Sequence, residues 1–462
     1  MHSAPTTQSP WLDFERQSWP SLKKDFQCEV AVVGAGISGV ATLYFLLTTT
    51  EKYVALFDKS TVASGATGYN AGLAVSYIER PVSELVNEFG WELTKQAFSE
   101  MDDAWETLLT IQETIGGQVN LVPFSAATFG FDSIQAFNHF VEQEQIQAAL
   151  GRANWRYWAQ DDETIKEQIL EPIKSYVEFV SPQQIIDTLK TVDRKYIAAA
   201  VRSTPIKGAR INSAKLCYQI LSYLQKHFAE RFVVYEHTEI MQVELYPTES
   251  ILHHPHGSIH AKDLILCTNG YTGINIIEGE SLKPHGKLAS GIIPKEGFMA
   301  ASTDGALENY AAAFINTREM YADVPYWYLS HAPLCNEGKS RFMLIGGPEY
   351  DLPQSCPPEL REQYAKAGME VIKQFLSHTF DKEISRFDYF WSGVMGYTHN
   401  GLRWVGPDTH YPHLWYNLGC NGIGIVPAIG GAKRLAKQLQ GADLGSSLFD
   451  PPKIRDARDL SP

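Results

Sequence analysis

Gly34-Ala35-Gly36-Ile37-Ser38-Gly39 sets three glycines in the order G-x-G-x-x-G. A turn of this kind brings backbone N–H groups against a pyrophosphate. The first glycine permits the tight turn, the second lets the backbone approach the phosphates, and the third lets a helix pack closely on the preceding strand. A helix predicted over 37–48 aims its N-terminus, with unpaired N–H groups and partial positive charge, at the same point. Asp58, followed by Lys59, ends a strand predicted over 53–57. Its carboxylate suits the hydroxyls of an adenosine ribose and would repel a 2′-phosphate. Small residues follow in Ser64-Gly65-Ala66-Thr67-Gly68-Tyr69-Asn70-Ala71-Gly72 and run into the apolar Leu73-Ala74-Val75. That pattern predicts backbone packed against a flat ligand.

A second glycine turn, Gly419-Cys420-Asn421-Gly422-Ile423-Gly424, precedes a helix predicted over 428–438. By the same dipole argument it can present N–H groups to an anion. A flavin reduced by two electrons carries negative charge near N1 and the C2 carbonyl. The C-terminal turn is expected to stabilise that charge, leaving Gly34–Gly39 to hold the adenine dinucleotide end.

The elements that must position these turns are legible in outline. The run 29–33 reads as a strand buried on both faces of a parallel sheet. Residues 30–47 carry no charge, which on length alone admits a membrane helix. The three glycines argue against one continuous helix, and the strand and acid that follow raise the motif to a strong signal. Residues 82–115 form an amphipathic helical region. Segments 142–147 and 161–168 look solvated. A helix over 215–227, a strand over 232–235, an extended segment over 240–246 and a strand over 261–267 suit a return to the first sheet. His253, His254, His256 and His260 fall in an exposed hairpin turn and do not read as a metal site. Runs 293–302, 325–330 and 341–346 read as a second, antiparallel sheet, with Tyr326 and Tyr328 on one face and Trp327 on the other. A helix over 358–375 follows. Residues 393–407 look like a loop, and 414–418 like a short strand.

The 462 residues suffice for a large core, and a formal charge of −14 argues against nucleic acid or an anionic membrane as partner. Six scattered cysteines without C-x-x-C suit free thiols and a cytoplasmic setting. Residues 1–25 lack a secretory pattern and read as an arm lying on the surface. The fold class is α/β, α+β overall: a Rossmann-like dinucleotide-binding domain with an antiparallel-sheet domain inserted. The expected division is an arm at 1–25, nucleotide-binding parts at 26–90, 206–290 and 386–445, inserted parts at 91–205 and 291–385, and a tail at 446–462.

GAGISG, Asp58, SGATGYNAG, ARINSAKLC, AKDLILCTNGY, WSGVMGYTHNGLRWVGP and LWYNLGCNGIGIVPAIGGAKRLA occur here in an order that resembles the FAD-dependent oxidoreductases of the D-amino-acid oxidase superfamily. The resemblance spans roughly residues 10–440 and is greatest to the gamma-glutamylputrescine oxidoreductase branch. It implies bound FAD and oxidation of a C–N bond in an amine or amino acid. The substrate amine would bind neutral with its alpha C–H facing flavin N5. A hydride equivalent would transfer, and the imine would hydrolyse. It implies FAD contacts at Gly34, Gly36, Ile37, Ser38, Gly39, Asp58, Lys59, Ser64, Gly65, Ala66, Thr67, Asn70, Ala71 and Gly72, and again at Thr268, Gly270, Gly393, Gly419, Asn421, Gly422, Ile423 and Gly424. Tyr69 stands where the family commonly has arginine, and Ile423 where histidine is usual. Tyr69 and Gly393 lie near positions that bond flavin covalently in some relatives, so FAD is expected to be noncovalent. Arg341-Phe342-Met343-Leu344 lacks the lysine that activates oxygen in some relatives, so oxygen and another acceptor both stay open. Tyr326 and Tyr328 are candidates for lining the substrate pocket, Trp391 and His399 for standing near the flavin, and Arg318 or Arg341 for pairing with a substrate carboxylate. A flavin protein without turnover, and a dehydrogenase passing electrons to a quinone or partner, are the competing readings.

Overall fold

The fold is taken from a computed structural model, which describes residues 8–116, 119, 121–152, 155–192, 194–203, 206–302, 311–316, 326–333, 341–353, 356–381 and 387–452. Its first sheet is built around Phe26–Val33. That strand pairs in parallel with Val54–Phe57 on one side and with Gly257–Leu266 on the other. Phe232–Tyr235 extends the sheet beyond Val54–Phe57, and Leu414–Leu418 runs parallel to the end of Gly257–Leu266. Ser250–His254 and Gln242–Leu245 continue it antiparallel. Both faces of the centre are covered. On one, the helix Ile37–Thr49 packs with Ser213–Phe228 and Ile425–Leu439 over Val30, Val32 and Leu56. On the other, Ala31, Val33, Ala55 and Leu264 meet Ile276, Leu414 and Tyr416. Two covered faces explain why these strands read as unbroken apolar runs rather than alternating ones.

The second sheet runs Tyr389–Thr398, Ile292–Ser302, Arg341–Asp351, Trp327–Pro333, Ala311–Ile315, Ala126–Phe131, Ala198–Ser203, Arg156–Gln160, Val177–Val180. It is antiparallel except where Ala311–Ile315 joins Ala126–Phe131 and where Arg156–Gln160 joins Val177–Val180. Strand alternation sorts the aromatic side chains. Trp327 is buried and stacks on Phe375 of the helix Pro358–Phe380 at 4.2 Å between centroids. Tyr326 and Tyr328 take the opposite face. The stretch 386–445 supplies strands to both sheets. Among the described residues no helix is long and apolar enough to cross a membrane. The uncharged run is divided between the strand Phe26–Val33 and the 13-residue helix Ile37–Thr49.

Several expectations need correction. The segment read as a loop at 393–407 is mostly strand: Tyr389–Thr398 is an edge strand of the second sheet, and Trp404–Pro407 pairs with Leu414–Leu418. Gly393 and Gly396 mark close backbone approach, and only Gly401, at φ +67°, belongs to a turn. A Cβ on Gly393 would strike the Tyr69 carbonyl, and one on Gly396 would sit 2.7 Å from the Asn269 backbone. The arm does not merely lie on the surface. Trp11, Leu12 and Leu22 are buried, and Trp11 Nε1 donates to the Asn70 carbonyl at 2.7 Å. The helical region at 82–115 is two helices, Val82–Phe89 and Trp91–Thr114, separated by Gly90 at φ 81°. Glu144 and Gln147 are buried, not solvated. Of the four histidines, His253 and His254 belong to one strand and His260 to the next, leaving His256 in the turn; His254 is buried and His253 meets Glu244.

Candidate active site

The two glycine turns open onto one cavity of about 1300 Å³. At its nucleotide end, Gly34 has φ +102°, and a Cβ there would stand 2.7 Å from the Cys267 carbonyl oxygen. A Cβ on Gly39 would enter the Gly34 carbonyl, so Gly39 works behind the wall by letting helix and turn touch. The helix Ile37–Thr49 begins at Gly36, which has no side chain to cap it. Its first N–H groups are therefore available to an anion, apart from Ile37 N–H, which donates to Thr67 Oγ1 at 2.9 Å. Gly34, Gly36, Ile37 and Ser38 line the cavity. Asp58 and Lys59 line it too. Asp58 accepts from the N–H groups of Ala35 at 2.7 Å and Ser60 at 2.8 Å. Burial pushes its carboxyl up, and those two hydrogen bonds oppose the shift without cancelling it. Lys59 Nζ lies 4.1 Å above the Tyr271 ring.

The loop after Asp58 forms one wall through Ser64, Gly65, Ala66, Thr67, Asn70 and Ala71. Asn70 fixes its shape. The amide donates to the Thr67 carbonyl and to Ser213 Oγ, and its oxygen accepts from Gly72 N–H at 2.8 Å. Gly72 lies behind, at φ +66° against the Trp11 ring. Thr268 lines the cavity with a buried hydroxyl that has no hydrogen-bond partner among the described residues. Gly270 packs on the Met395 carbonyl, and Gly393 reaches the wall beside Tyr69.

At the other end Gly422, Ile423 and Gly424 face the cavity, while Gly419 and Asn421 shape the turn from behind. Asn421, at φ 45°, accepts from Thr398 N–H at 2.8 Å. The helix Ile425–Leu439 starts from Gly424, again without a side chain to cap it. Two helix starts therefore present N–H groups to one space. Arg403, which the sequence did not single out, stands between them. It is buried, and its guanidinium donates to Ser38 Oγ and, at 2.8 Å, to Asn417 Oδ1. Burial lowers its pKa to about 10, which leaves it cationic at neutral pH.

A second group of residues continues the cavity away from the nucleotide end. Tyr326 and Tyr328 line it, joined by Glu79 and Glu349, which the sequence reading missed. Tyr326 Oη donates to Glu79 Oε1 at 2.8 Å, and Tyr397 Oη to Glu349 at 3.0 Å. Burial pushes the Glu79 carboxyl up to about 7; the Tyr326 hydrogen bond opposes the rise and the Glu349 charge adds to it. Burial likewise raises Glu349. Trp391 is fully buried, packed with Trp11, Met299 and Leu344 behind the wall. His399 is exposed on the outside, with its ring nitrogen 2.6 Å from the Ser290 carbonyl. Arg318 lies outside the described residues, as does the Arg341 side chain.

This combination defines a nucleotide-binding oxidoreductase site: a dinucleotide cradle joined to a partly buried polar pocket. A family model, FAD dependent oxidoreductase, matches residues 29–438, and the chain belongs to that family. Among curated proteins no relative matches. Among solved structures, glycine oxidase from Geobacillus kaustophilus is similar at 15% identity and TM-score 0.64, covering 93% of this chain and 99% of its own. L-amino acid deaminase from Proteus myxofaciens is similar at 13% identity and TM-score 0.62, covering 96% of each chain. L-proline dehydrogenase from P. horikoshii is similar at 15% identity and TM-score 0.61, covering 92% of this chain and 97% of its own. At these identities the likeness is one of fold. The residues present fit FAD: Gly34, Gly36, Gly422 and Gly424 line the cavity with bare backbone, two uncapped helix starts share it, and Thr268 leaves a buried hydroxyl for a ligand.

Proposed function

We propose that this FAD-dependent oxidoreductase oxidises the C–N bond of an amine or amino acid. When bound, FAD supplies the acceptor for the hydride equivalent that leaves the carbon beside nitrogen, and the imine product hydrolyses in water. The chain's own residues bind and orient. Gly34, Gly36 and the start of Ile37–Thr49 would hold the pyrophosphate, with Arg403 as a fixed positive charge beside Ser38. Asp58 would take the ribose. Gly422 and Gly424 would place N–H groups against the flavin end, where negative charge develops, while Ile423 N–H is held by the Cys420 carbonyl. Tyr326, Tyr328, Glu79 and Glu349 would hold the substrate and exclude water from one side.

The observation that carries this reading is the continuity of the cavity: the cofactor cradle opens directly onto the pocket of Tyr326, Tyr328, Glu79 and Glu349. Noncovalent FAD suits the contact of Gly393 with Tyr69, since neither a histidine nor a cysteine stands at these positions. The leading arm and the motif order support a place near the gamma-glutamylputrescine oxidoreductase branch. The free cysteines among the described residues support a reducing, cytoplasmic setting.

Mixing the FAD-loaded protein anaerobically with amines and amino acids tests the reaction. Bleaching of the 450 nm band, roughly the oxidised flavin's visible maximum, is the expected result. A flavin that keeps its colour with every amine and amino acid offered rules the reading out. Admitting oxygen afterwards separates the acceptors: prompt return of colour with peroxide marks an oxidase, slow return a dehydrogenase.

A further inference from the structure

Strand register lays out a floor for the part of the cavity that leads away from the cofactor cradle. Met299 pairs with Gly346, Gly346 with Tyr328, Tyr328 with Ala313, and Ala313 with Phe129. Residues paired in this way turn their side chains to one face of the sheet. Met299, Tyr328, Ala313 and Phe129 all line the cavity. Met299 stands at the cofactor end, since Gly297 of the same strand pairs with Gly393. Four strand spacings, roughly 19 Å in all, separate it from Phe129. The middle of this floor is low. Ala313, Ala311 of the same strand and Ala127 beside it offer the cavity only methyl groups. Beyond them stand Phe129, Phe140 and Trp155. Phe129 lies 4.8 Å from Phe140 and 5.3 Å from Trp155 between centroids, and Phe140 lies 5.8 Å from Trp155. Each of these rings lines the cavity and stays half-buried, although it packs on the core beneath. Apolar surface left open to a cavity is surface that a ligand can cover. The charges of this lobe answer one another. Arg152 pairs with Asp102 at 3.1 Å, Lys207 meets the same carboxylate at 3.0 Å, Arg202 lies over the Trp155 ring, and Glu144 sits in the field of both arginines.

We propose that the substrate is elongated, with the reacting C–N bond at the cofactor end of this floor and an uncharged planar ring at the other, seated among Phe129, Phe140 and Trp155. This rests on the reading of the cavity as a C–N oxidation site. The ligand's ring would meet the three side chains edge to face, as Trp155 already meets Phe129 and Phe140. A cationic tail would be set against Arg202, and an anionic one against Glu144, so the lobe selects by shape and apolarity. Ala313 is the gauge of length. A chain must cross its methyl group to reach the rings, and a larger side chain there would bar the way.

The test uses FAD-loaded protein and two readouts, perturbation of the visible flavin spectrum on binding and anaerobic bleaching. Butylamine, octylamine and 8-phenyloctylamine are compared. The terminal ring is expected to tighten binding over octylamine by on the order of 10- to 100-fold, the gain for burying one phenyl-sized side chain. A carboxylate in its place, in 9-aminononanoate, should forfeit that gain. Ala313→Leu should weaken 8-phenyloctylamine about tenfold more than it weakens butylamine, while FAD stays bound. Trp155→Leu should cut the advantage of 8-phenyloctylamine over octylamine by about threefold or more. Equal binding of octylamine and 8-phenyloctylamine by the unaltered protein overturns the proposal without reference to any variant. So does tighter binding of 9-aminononanoate than of 8-phenyloctylamine. Parallel losses of long and short amines in Ala313→Leu overturn it as well, because the floor would then not be the path. If 8-phenyloctylamine perturbs the spectrum in an Ala313-dependent way but nothing bleaches, the ring site stands and the oxidation reading falls. If butylamine bleaches the flavin and the ring adds nothing, the oxidation reading stands and the elongated substrate falls.

Discussion

Glu79 is a carboxylic acid whose surroundings decide when it can hold a charge. Burial pushes it up to about 7, the Tyr326 hydroxyl opposes that rise, and Glu349 adds to it. The groups around it are Tyr326 and Tyr328 from one side of the second sheet, Glu349 from a neighbouring strand, and Tyr397 beside the glycine turn. Burial raises all three tyrosines, which therefore stay neutral across the working range. The two carboxyls are left to titrate: Glu79, carried to about 7, and Glu349, which burial also raises. Ionised Glu79 can take the proton that an incoming ammonium must lose before hydride can leave its carbon, so kcat/KM for an amine should be flat above about pH 7 and fall about tenfold per unit below it. In Glu79→Gln the acid limb should vanish along with most of the affinity. A limb of the same position in the variant would assign it to another group. The same residue scale holds Arg403 and Thr268, a buried cation and an unpartnered hydroxyl against the cofactor space.

The N-terminal arm shows how one element can set the shape of another. Trp11 donates to the Asn70 carbonyl, Asn212 Nδ2 donates to the Trp11 carbonyl at 3.0 Å, and Gly72 leaves room for the indole. The indole is a peg under the loop that walls the cavity. Trp11→Ala should cost about 3–5 kcal/mol of local packing and loosen the loop. FAD affinity, measured by titrating the apoprotein, should fall by at least tenfold. A variant that binds FAD as tightly as the parent would show the peg to be dispensable. The arm's sequence, polar with isolated aromatics, gave no hint of this, because a single buried tryptophan has no periodicity. Other parts were legible for physical reasons. Each glycine of 34–39 has its own steric task, so the motif reads locally. Tyr326, Trp327 and Tyr328 sort by strand alternation alone. The segment 393–407 misled because a glycine that admits another backbone looks, in sequence, like a glycine that turns. Glu79, Glu349 and Arg403 were missed because they meet the site from separate stretches, and nothing local marks which way their side chains face.

At the scale of the molecule, one buried charge cluster ties the approach to the second sheet onto the first. Lys287 opens the short helix Lys287–Gly291, which leads into Ile292–Ser302. Asp408 follows Trp404–Pro407 at the flank of the first sheet. Their charged atoms stand 3.0 Å apart with both residues buried, and Tyr416 Oη and the His410 N–H also bind the carboxylate. Burial alone would raise Asp408, but His285, Lys287 and the His410 N–H together hold it far below the usual carboxylate range. A folded pKa below the unfolded value of about 3.9 gives stability that is fully present above that value and is lost as pH falls beneath it. Asp408→Asn leaves Lys287 without its charge partner and should cost about 3–5 kcal/mol near pH 7. The gap between variant and parent, read from urea midpoints, should begin to narrow below about pH 4, where the carboxylate of the unfolded chain protonates while the folded one stays ionised. A gap that is constant with pH would point to a packing defect.

The central strand Phe26–Val33 is flanked on one side by Gly257–Leu266, whose own outer neighbour is Leu414–Leu418. A ribosome adding about 5–20 residues per second delivers that first flank on the order of tens of seconds after the strand itself. For that interval a strongly apolar edge is displayed to whatever is nearby. The chain's yield on expression should depend on how crowded and how fast translation is, more than on the stability of the finished product.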